Sequence, residues 1–205
     1  MYIVIEGQDG TGKDTQTDFL VKYFESQGKK VVRYSESGTN STDPFIQEIA
    51  HLNYGSDQGI DNRTRVMLYL INRYEQWRKI AEPALKNGDI VITTRNWYST
   101  LIYEGYAAGV SRSLITKLHK TVMPERYFHP DKIVMLTLSE KEREARRIAQ
   151  GERTTSEVWK SKPSEFQQKL NNSYLKVAKE FDVPTLSAAG TPEEVFERLK
   201  KFFEI

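Results

Sequence analysis

The 205-residue chain contains no cysteine. That absence excludes disulfides, thiolate zinc sites, iron–sulfur clusters, a thiol nucleophile and thioredoxin-type chemistry. Histidine is scarce, and His51, His119 and His129 fit no metal-ligand spacing, so they are read as structural or surface residues. Long apolar runs are missing too. The longest, such as Ile133–Leu136, fall far short of the roughly 18–20 residues a membrane helix needs. The segment Met1–Glu6 reads as a strand and has no basic start, long apolar stretch or small-residue cleavage site. A cytoplasmic protein with no membrane partner is expected. Charge of one sign does not dominate either, because 30 Lys and Arg stand against 28 Asp and Glu. A nucleic-acid binder usually carries a basic stripe, so no nucleic-acid partner is expected. A local cluster of Arg143, Arg146, Arg147 and Arg153 suits a small anion.

What is present is an alternation of short apolar strands with longer amphipathic helices. Strands are expected at Tyr2–Glu6, Lys30–Ser35, Asp89–Thr94, Lys132–Leu138 and Val183–Ser187. Helices are expected at Asp14–Ser26, from Asp43-Pro44 to about Leu52, and at Asn62–Lys86, Tyr98–Ala108, Arg112–Val122, Ser139–Gln150, Pro163–Phe181 and Thr191–Glu204. Parallel strands need helical crossovers, so this order predicts an α/β fold: a doubly wound, five-stranded parallel sheet flanked by helices. Single cores run to roughly 250 residues before chains split, and one domain over 1–205 is expected. Ligands of such sheets bind beyond the carboxyl ends of the strands. Each motif below follows a strand or faces that edge.

The segment Gly7-Gln8-Asp9-Gly10-Thr11-Gly12-Lys13 joins the first strand to the first helix with the spacing G-x-x-x-x-G-K. Glycines let backbone N–H groups wrap a phosphate, the helix N-terminus favours the anion, and Lys13 neutralises its charge. The next residue is usually Ser or Thr, whose hydroxyl holds Mg²⁺. Here it is Asp14, followed by Thr15. The pattern implies a nucleoside triphosphate with Mg²⁺, bound over Gly7–Thr15. The Asn-Lys-x-Asp base reader of a GTPase is absent, and the chain is too short for a large mechanical ATPase. A small kinase remains.

Two further elements narrow the class. Thr94-Arg95-Asn96-Trp97-Tyr98-Ser99-Thr100-Leu101-Ile102-Tyr103-Glu104 follows the third strand, and Tyr69 and Arg73 stand at i and i+4 on the long helix, where they share a face. With the phosphate loop, these residues resemble the thymidylate kinase family, which carries D-R-[YH]-x-x-S-x-x-A-Y-Q and F-x-x-x-R at these places. Glu36-Ser37-Gly38 occupies the place of the family's Glu-Pro-Gly turn. The resemblance runs from Ile3 to Phe196 and implies transfer of the ATP γ-phosphate to dTMP, with Mg²⁺, in a homodimer.

The resemblance also implies roles. Arg95 would hold the acceptor phosphate, Tyr69 would lie over the pyrimidine, and Arg73 would donate to the base carbonyl O4. Thr100 would face N3, Tyr103 would pack under the sugar and exclude a 2′-hydroxyl, and Asp9 would accept from the 3′-hydroxyl. Ser99 and Glu36 complete the acceptor set. Position 10 is Gly, so the catalytic Arg would come from a lid at about 151–162, with Arg153 supported by Arg146 and Arg147. Residues Ser187–Pro192, around Ala189, would contact adenine.

Several positions depart from the family pattern. Thr94 replaces Asp, Glu104 replaces Gln, Ser35 and Ser37 replace Arg and Pro, and Thr137 replaces Asp. Asp14 and Thr94 look like a carboxylate and a hydroxyl exchanged across the metal. Two other readings stay open on sequence. One is a deoxynucleoside kinase acting on a 5′-hydroxyl with Glu36 as base; the other is a non-catalytic nucleotide-binding module.

Overall fold

Alternation along the first strand sets the layers. Tyr2 and Val4 enter one core while Ile3 and Ile5 enter another, and all four are fully buried. A central strand of a parallel sheet is covered on both faces and is therefore apolar at successive positions. The computed structural model describes residues 1–54, 59–149 and 164–205. Its strands are β1 (Tyr2–Gly7), β2 (Val31–Ser35), β3 (Ile90–Thr94), β4 (Lys132–Thr137) and β5 (Thr185–Ser187). They form one parallel sheet in the order β2-β3-β1-β4-β5, with Tyr2 opposite Val91 and Ile3 opposite Lys132. The expected sheet is borne out.

The helices are α1 (Lys13–Ser26), α2 (Pro44–Tyr54), α3 (Asn62–Gln76), α4 (Glu82–Lys86), α5 (Trp97–Thr100), α6 (Arg112–Val122), α7 (Glu125–Phe128), α8 (Glu140–Ala149), α9 (Ser164–Glu180) and α10 (Pro192–Phe203). On one face of the sheet, Val66, Leu70 and Trp77 pack with Tyr2, Val4 and Val91. On the other, α1 and α10 bring Leu20, Phe24, Val195, Leu199 and Phe203 onto Ile3, Ile5 and Ile92. Each such aliphatic or aromatic side chain contributes about 1.5–3 kcal/mol by leaving water.

Two expected helices differ in detail. The long helix over 62–86 widens to a π-helical turn at Trp77–Ala81 before α4. Pro83 supplies no N–H and its ring would clash with an α-helical carbonyl one turn back; the wider turn just before it accommodates both. The helix expected over 98–108 is α-helical only at Trp97–Thr100, then π-helical over Leu101–Ala107. The short helix α7 has no periodic signal in the sequence. The predicted lid and Arg153 lie outside the described residues.

Candidate active site

The phosphate loop is built around a close approach. A Cβ at Gly7 would lie 2.7 Å from the Leu136 carbonyl oxygen, and Gly7 has φ 146°; only glycine joins β1 to the loop here. Lys13 opens α1 and is buried, and its Nζ donates to the Gln8 carbonyl at 3.0 Å and stands 3.6 Å from Asp9 Oδ1. Burial, then the Arg95 charge, pulls the Lys13 ammonium below its ordinary range. Thr11 Oγ1 also donates to the Gln8 carbonyl, at 2.7 Å. Gly10 and Gly12 complete the turn. Asp14 lies on the exposed first turn of α1, and Thr15 is half-buried beside it.

Asp9 is the hub between this loop and the end of β3. Its carboxylate accepts from Arg95 Nη2 and, at 3.4 Å, from the Tyr103 hydroxyl. Burial pushes that carboxyl up, but Arg95 and Lys13 outweigh it and hold it below the usual carboxylate range. Arg95 also donates through Nη1 to Ser99 Oγ at 3.2 Å and to the Tyr174 hydroxyl at 2.9 Å. Its φ is +70°, a strained backbone for a non-glycine residue and typical of functional positions.

The aromatic–Arg pair of α3 opens onto the same space. The Arg73 guanidinium lies 5.6 Å from the Tyr69 ring centroid, and Tyr54 packs 5.7 Å from that ring. Arg73 donates through Nε to Glu36, through Nη1 to Thr100 Oγ1, and through Nη2 to the Asn96 carbonyl at 3.0 Å. That uses three of a guanidinium's five N–H groups. Glu36 follows β2 in a turn that Gly38 makes possible. Gly38 has φ 72°, and a Cβ there would meet Asn72 Oδ1 at 2.7 Å. Asn72 Nδ2 in turn donates to the Glu36 and Ser37 carbonyls at 3.2 and 2.8 Å. Both Glu36 oxygens accept internal hydrogen bonds, from Tyr127 at 2.9 Å and Tyr34 at 3.3 Å besides Arg73. Burial pushes its carboxyl up to about 7, against Arg73 and Tyr127.

One cavity of about 890 Å³ is lined by Asp9, Lys13, Asp14, Glu36, Tyr69, Arg73, Thr94, Arg95, Ser99, Thr100 and Tyr103. The phosphate-loop and acceptor residues picked from the sequence therefore meet at one place, at the carboxyl edge of the sheet. Of the loop, Asp9, Lys13 and Asp14 reach this lining, while Gly7, Gln8, Gly10, Thr11, Gly12 and Thr15 do not. On the far side of the loop, Arg146 Nη2 donates to the Ala188 and Gly190 carbonyls at 2.8 and 2.9 Å. Its Nη1 would lie 3.7 Å from a Cβ at Gly12. Arg198 donates to the Ala189 carbonyl. Arg146 thus links the phosphate loop to the Ala188–Gly190 turn.

Sequence reasoning missed several neighbours. Glu6 is fully buried; it accepts from the Asn96 N–H at 2.7 Å and from Ser99 Oγ at 3.0 Å, fixing the turn that carries Arg95. A charged residue ending an apolar strand was its one signal. Tyr174, Tyr127 and Tyr54 had none. Arg143, read as part of a cluster suited to a small anion, is buried. It donates to Glu140 at 2.7 Å and lies 3.5 Å from the Asp9 carbonyl, because α8 turns that face onto the phosphate loop. The Arg147 side chain lies outside the described residues.

A glycine-rich loop ending in a buried Lys at a helix N-terminus, with an Arg and an aromatic–Arg pair on the same cavity, defines a phosphate-loop kinase of small nucleotides. The family model described as "Thymidylate kinase" matches residues 5–199. A thymidylate kinase of Mesoplasma florum is 32% identical over 202 residues, covering 98% of this chain and 93% of that one. Another, of Caldicellulosiruptor saccharolyticus, is 30% identical over 204 residues, covering 99% and 95%. The crystal structure of thymidylate kinase from Ehrlichia chaffeensis has the same fold, with a TM-score of 0.73 at 24% identity, covering 98% and 97% of the two chains. This chain belongs to the thymidylate kinase family, and it is a phosphotransferase.

Proposed function

We propose that the protein transfers the γ-phosphoryl group of ATP to dTMP, giving ADP and dTDP. The observation that carries this reading is that the phosphate loop and the Tyr69–Arg73 pair open onto one cavity that Arg95 also lines. Lys13 would neutralise donor phosphate, and Arg95 would grip the acceptor phosphate with a fork suited to two oxygens. Tyr69 would stack on the pyrimidine and Arg73 would spend a remaining N–H on its O4. Thr100, Ser99, Tyr103 and Asp9 would bound the base and sugar. A phosphate oxygen is already a nucleophile, so positioning and charge stabilisation suffice. A lid Arg, Arg153, would complete the charge on the transferring group. Glu36 has both oxygens occupied, which favours this reading over a Glu36 base acting on a 5′-hydroxyl.

Asp14 and Thr94 both line the cavity and offer hard oxygen donors, which suit Mg²⁺. No group of three or more metal-ligating side chains exists among the described residues. A kinase Mg²⁺ needs only one or two carboxylates besides substrate phosphates, so the donor chemistry of Asp14 and Thr94 suits the ion they would hold. When bound, the ion would shield phosphate charge. On α3, Met67, Ile71 and Tyr74 leave apolar surface exposed at i, i+4 and i+7, and a second copy of the chain is the occupant proposed for it. No helix of the described residues is long and apolar enough to cross a membrane, in keeping with a cytoplasmic site of action.

The test is ADP release with dTMP, dUMP, dCMP and thymidine as acceptors. Turnover is expected with dTMP and not with thymidine. Turnover with thymidine alone would make the protein a nucleoside kinase, and ATP binding without any turnover would make it a binding module.

A further inference from the structure

Two of the departures from the family pattern lie side by side in space. The motif's Arg and Asp would stand at 35 and 94, which face each other across β2 and β3. Here they are Ser35 and Thr94, whose hydroxyls lie 3.4 Å apart, and the hydroxyl chain continues from Ser35 through Ser37 to Thr39 at 3.0 Å each. A place open to a charge pair is held by neutral groups. A further departure is Asp14, a carboxylate beside a site for a triphosphate. It is met by Arg33, two residues before Ser35 and so on the same face of β2. Arg33 Nη2 lies 3.3 Å from Asp14 Oδ1, and Nη1 donates to Asp18 one helical turn on. Arg33, Asp14, Ser35 and Thr94 all line the cavity.

Folding does not explain this pair. The Arg33 and Asp14 side chains are 36% and 65% exposed, and exposed ion pairs contribute little to stability. Its location is what matters, because an unpaired carboxylate there repels every phosphate brought to the loop.

We propose that Arg33 is a positioning residue of the nucleotide site. In the metal-free protein it holds the Asp14 carboxylate aside and offsets its charge, so the loop accepts a nucleotide before Mg²⁺ is bound. The inference rests on the phosphate-loop reading above and names the residue that lets this loop carry an acid after Lys13.

The test is binding of a fluorescent ADP analogue, in EDTA, to the wild type, Arg33→Ser, Asp14→Thr and the double variant. Thermal melting checks that each is folded. Arg33→Ser should weaken metal-free binding by about fivefold to tenfold at low salt, and the loss should shrink as KCl is added. The double variant should return to within about twofold of the wild type, because coupled neighbours are not additive. Unchanged binding by Arg33→Ser would overturn the proposal. So would an equal loss in the Asp14→Thr background, because the guanidinium would then touch phosphate directly. A wild type that binds no ADP would overturn the phosphate-loop reading and the inference with it. A parallel Mg²⁺ titration separates the metal reading. If Asp14 is a Mg²⁺ ligand, Arg33→Ser should need less Mg²⁺ for half-maximal binding. An unchanged midpoint would take Asp14 off the metal, while the EDTA series still decides the role of Arg33.

Discussion

Glu36 and Arg73 form a closed ion pair in the cavity wall, with side chains 1% and 4% exposed. Neither charge could be buried alone without a penalty of several kcal/mol. The pair is also fixed at both ends. Tyr127 donates to Glu36 at 2.9 Å, while Thr100 and the Asn96 carbonyl take two more N–H groups of Arg73. The guanidinium therefore faces the space beside Tyr69 in one orientation.

This clamp should make acceptor binding depend on pH. Burial pushes Glu36 up to about 7. Above that pH the carboxylate is ionised and grips Arg73, and as pH falls through it the grip loosens. KM for dTMP should rise severalfold over that fall, with a smaller change in kcat. Glu36→Gln should have a high KM throughout and lack this limb. The substrate phosphate titrates near pH 6 in both experiments, so comparing the two proteins cancels its contribution. A Glu36→Gln enzyme with the wild-type pH profile of KM would show that Arg73 holds its orientation unaided.

Arg73→Ala and Arg95→Ala should fail differently. Removing Arg73 should raise KM for dTMP and blunt preference over dCMP, by about 1.5–3 kcal/mol for a charged hydrogen bond. Removing Arg95 should lower kcat/KM for both nucleotides alike, because it would act on the phosphate they share. Arg95→Lys should recover little, since an ammonium lacks the planar fork. Steady-state kinetics with both acceptors separates these outcomes. An Arg73→Ala enzyme with unchanged preference would remove that residue from base reading.

Asp14→Thr and Thr94→Asp test the proposed metal pair. The first leaves no acid at the site and the second leaves two, so each alone should demand more Mg²⁺. The double variant should recover, with a coupling energy above about 1 kcal/mol. Mg²⁺ titrations of kcat/KM for the four proteins decide it. A normal Mg²⁺ demand in Asp14→Thr would end the exchange idea.

Glu104 is fully buried and neither of its carboxyl oxygens has a hydrogen-bond partner among the described residues. Burial pushes it up to about 8, with Arg65 pulling the other way. A carboxyl raised on folding favours the folded state below its unfolded value near 4.5 and loses that stability as pH rises to about 8. Glu104→Gln removes this titration. Its advantage in melting temperature should be absent in acid and should grow with pH up to about 8, by no more than about 1.4 kcal/mol per pH unit. Parallel melting curves for the two proteins that do not diverge with pH would show that Glu104 is solvated or paired when ionised.

Much of this protein is local and was therefore legible in the sequence. Strand alternation, helix spacing and the G-x-x-x-x-G-K run from Gly7 to Lys13 depend only on backbone geometry over a few residues. The i, i+4 spacing that puts Tyr69 and Arg73 on one face is of the same kind. The partners of those residues are not. Glu6 meets Ser99 across 93 residues of chain, Arg95 meets Tyr174 across 79, and Arg33 meets Asp14 across 19. Nor did any repeat announce that Arg143 would turn inward beneath the phosphate loop. Periodicity says which face of an element is buried; which charges share that interior is decided only when separate elements pack, because a buried charge must find its partner in three dimensions.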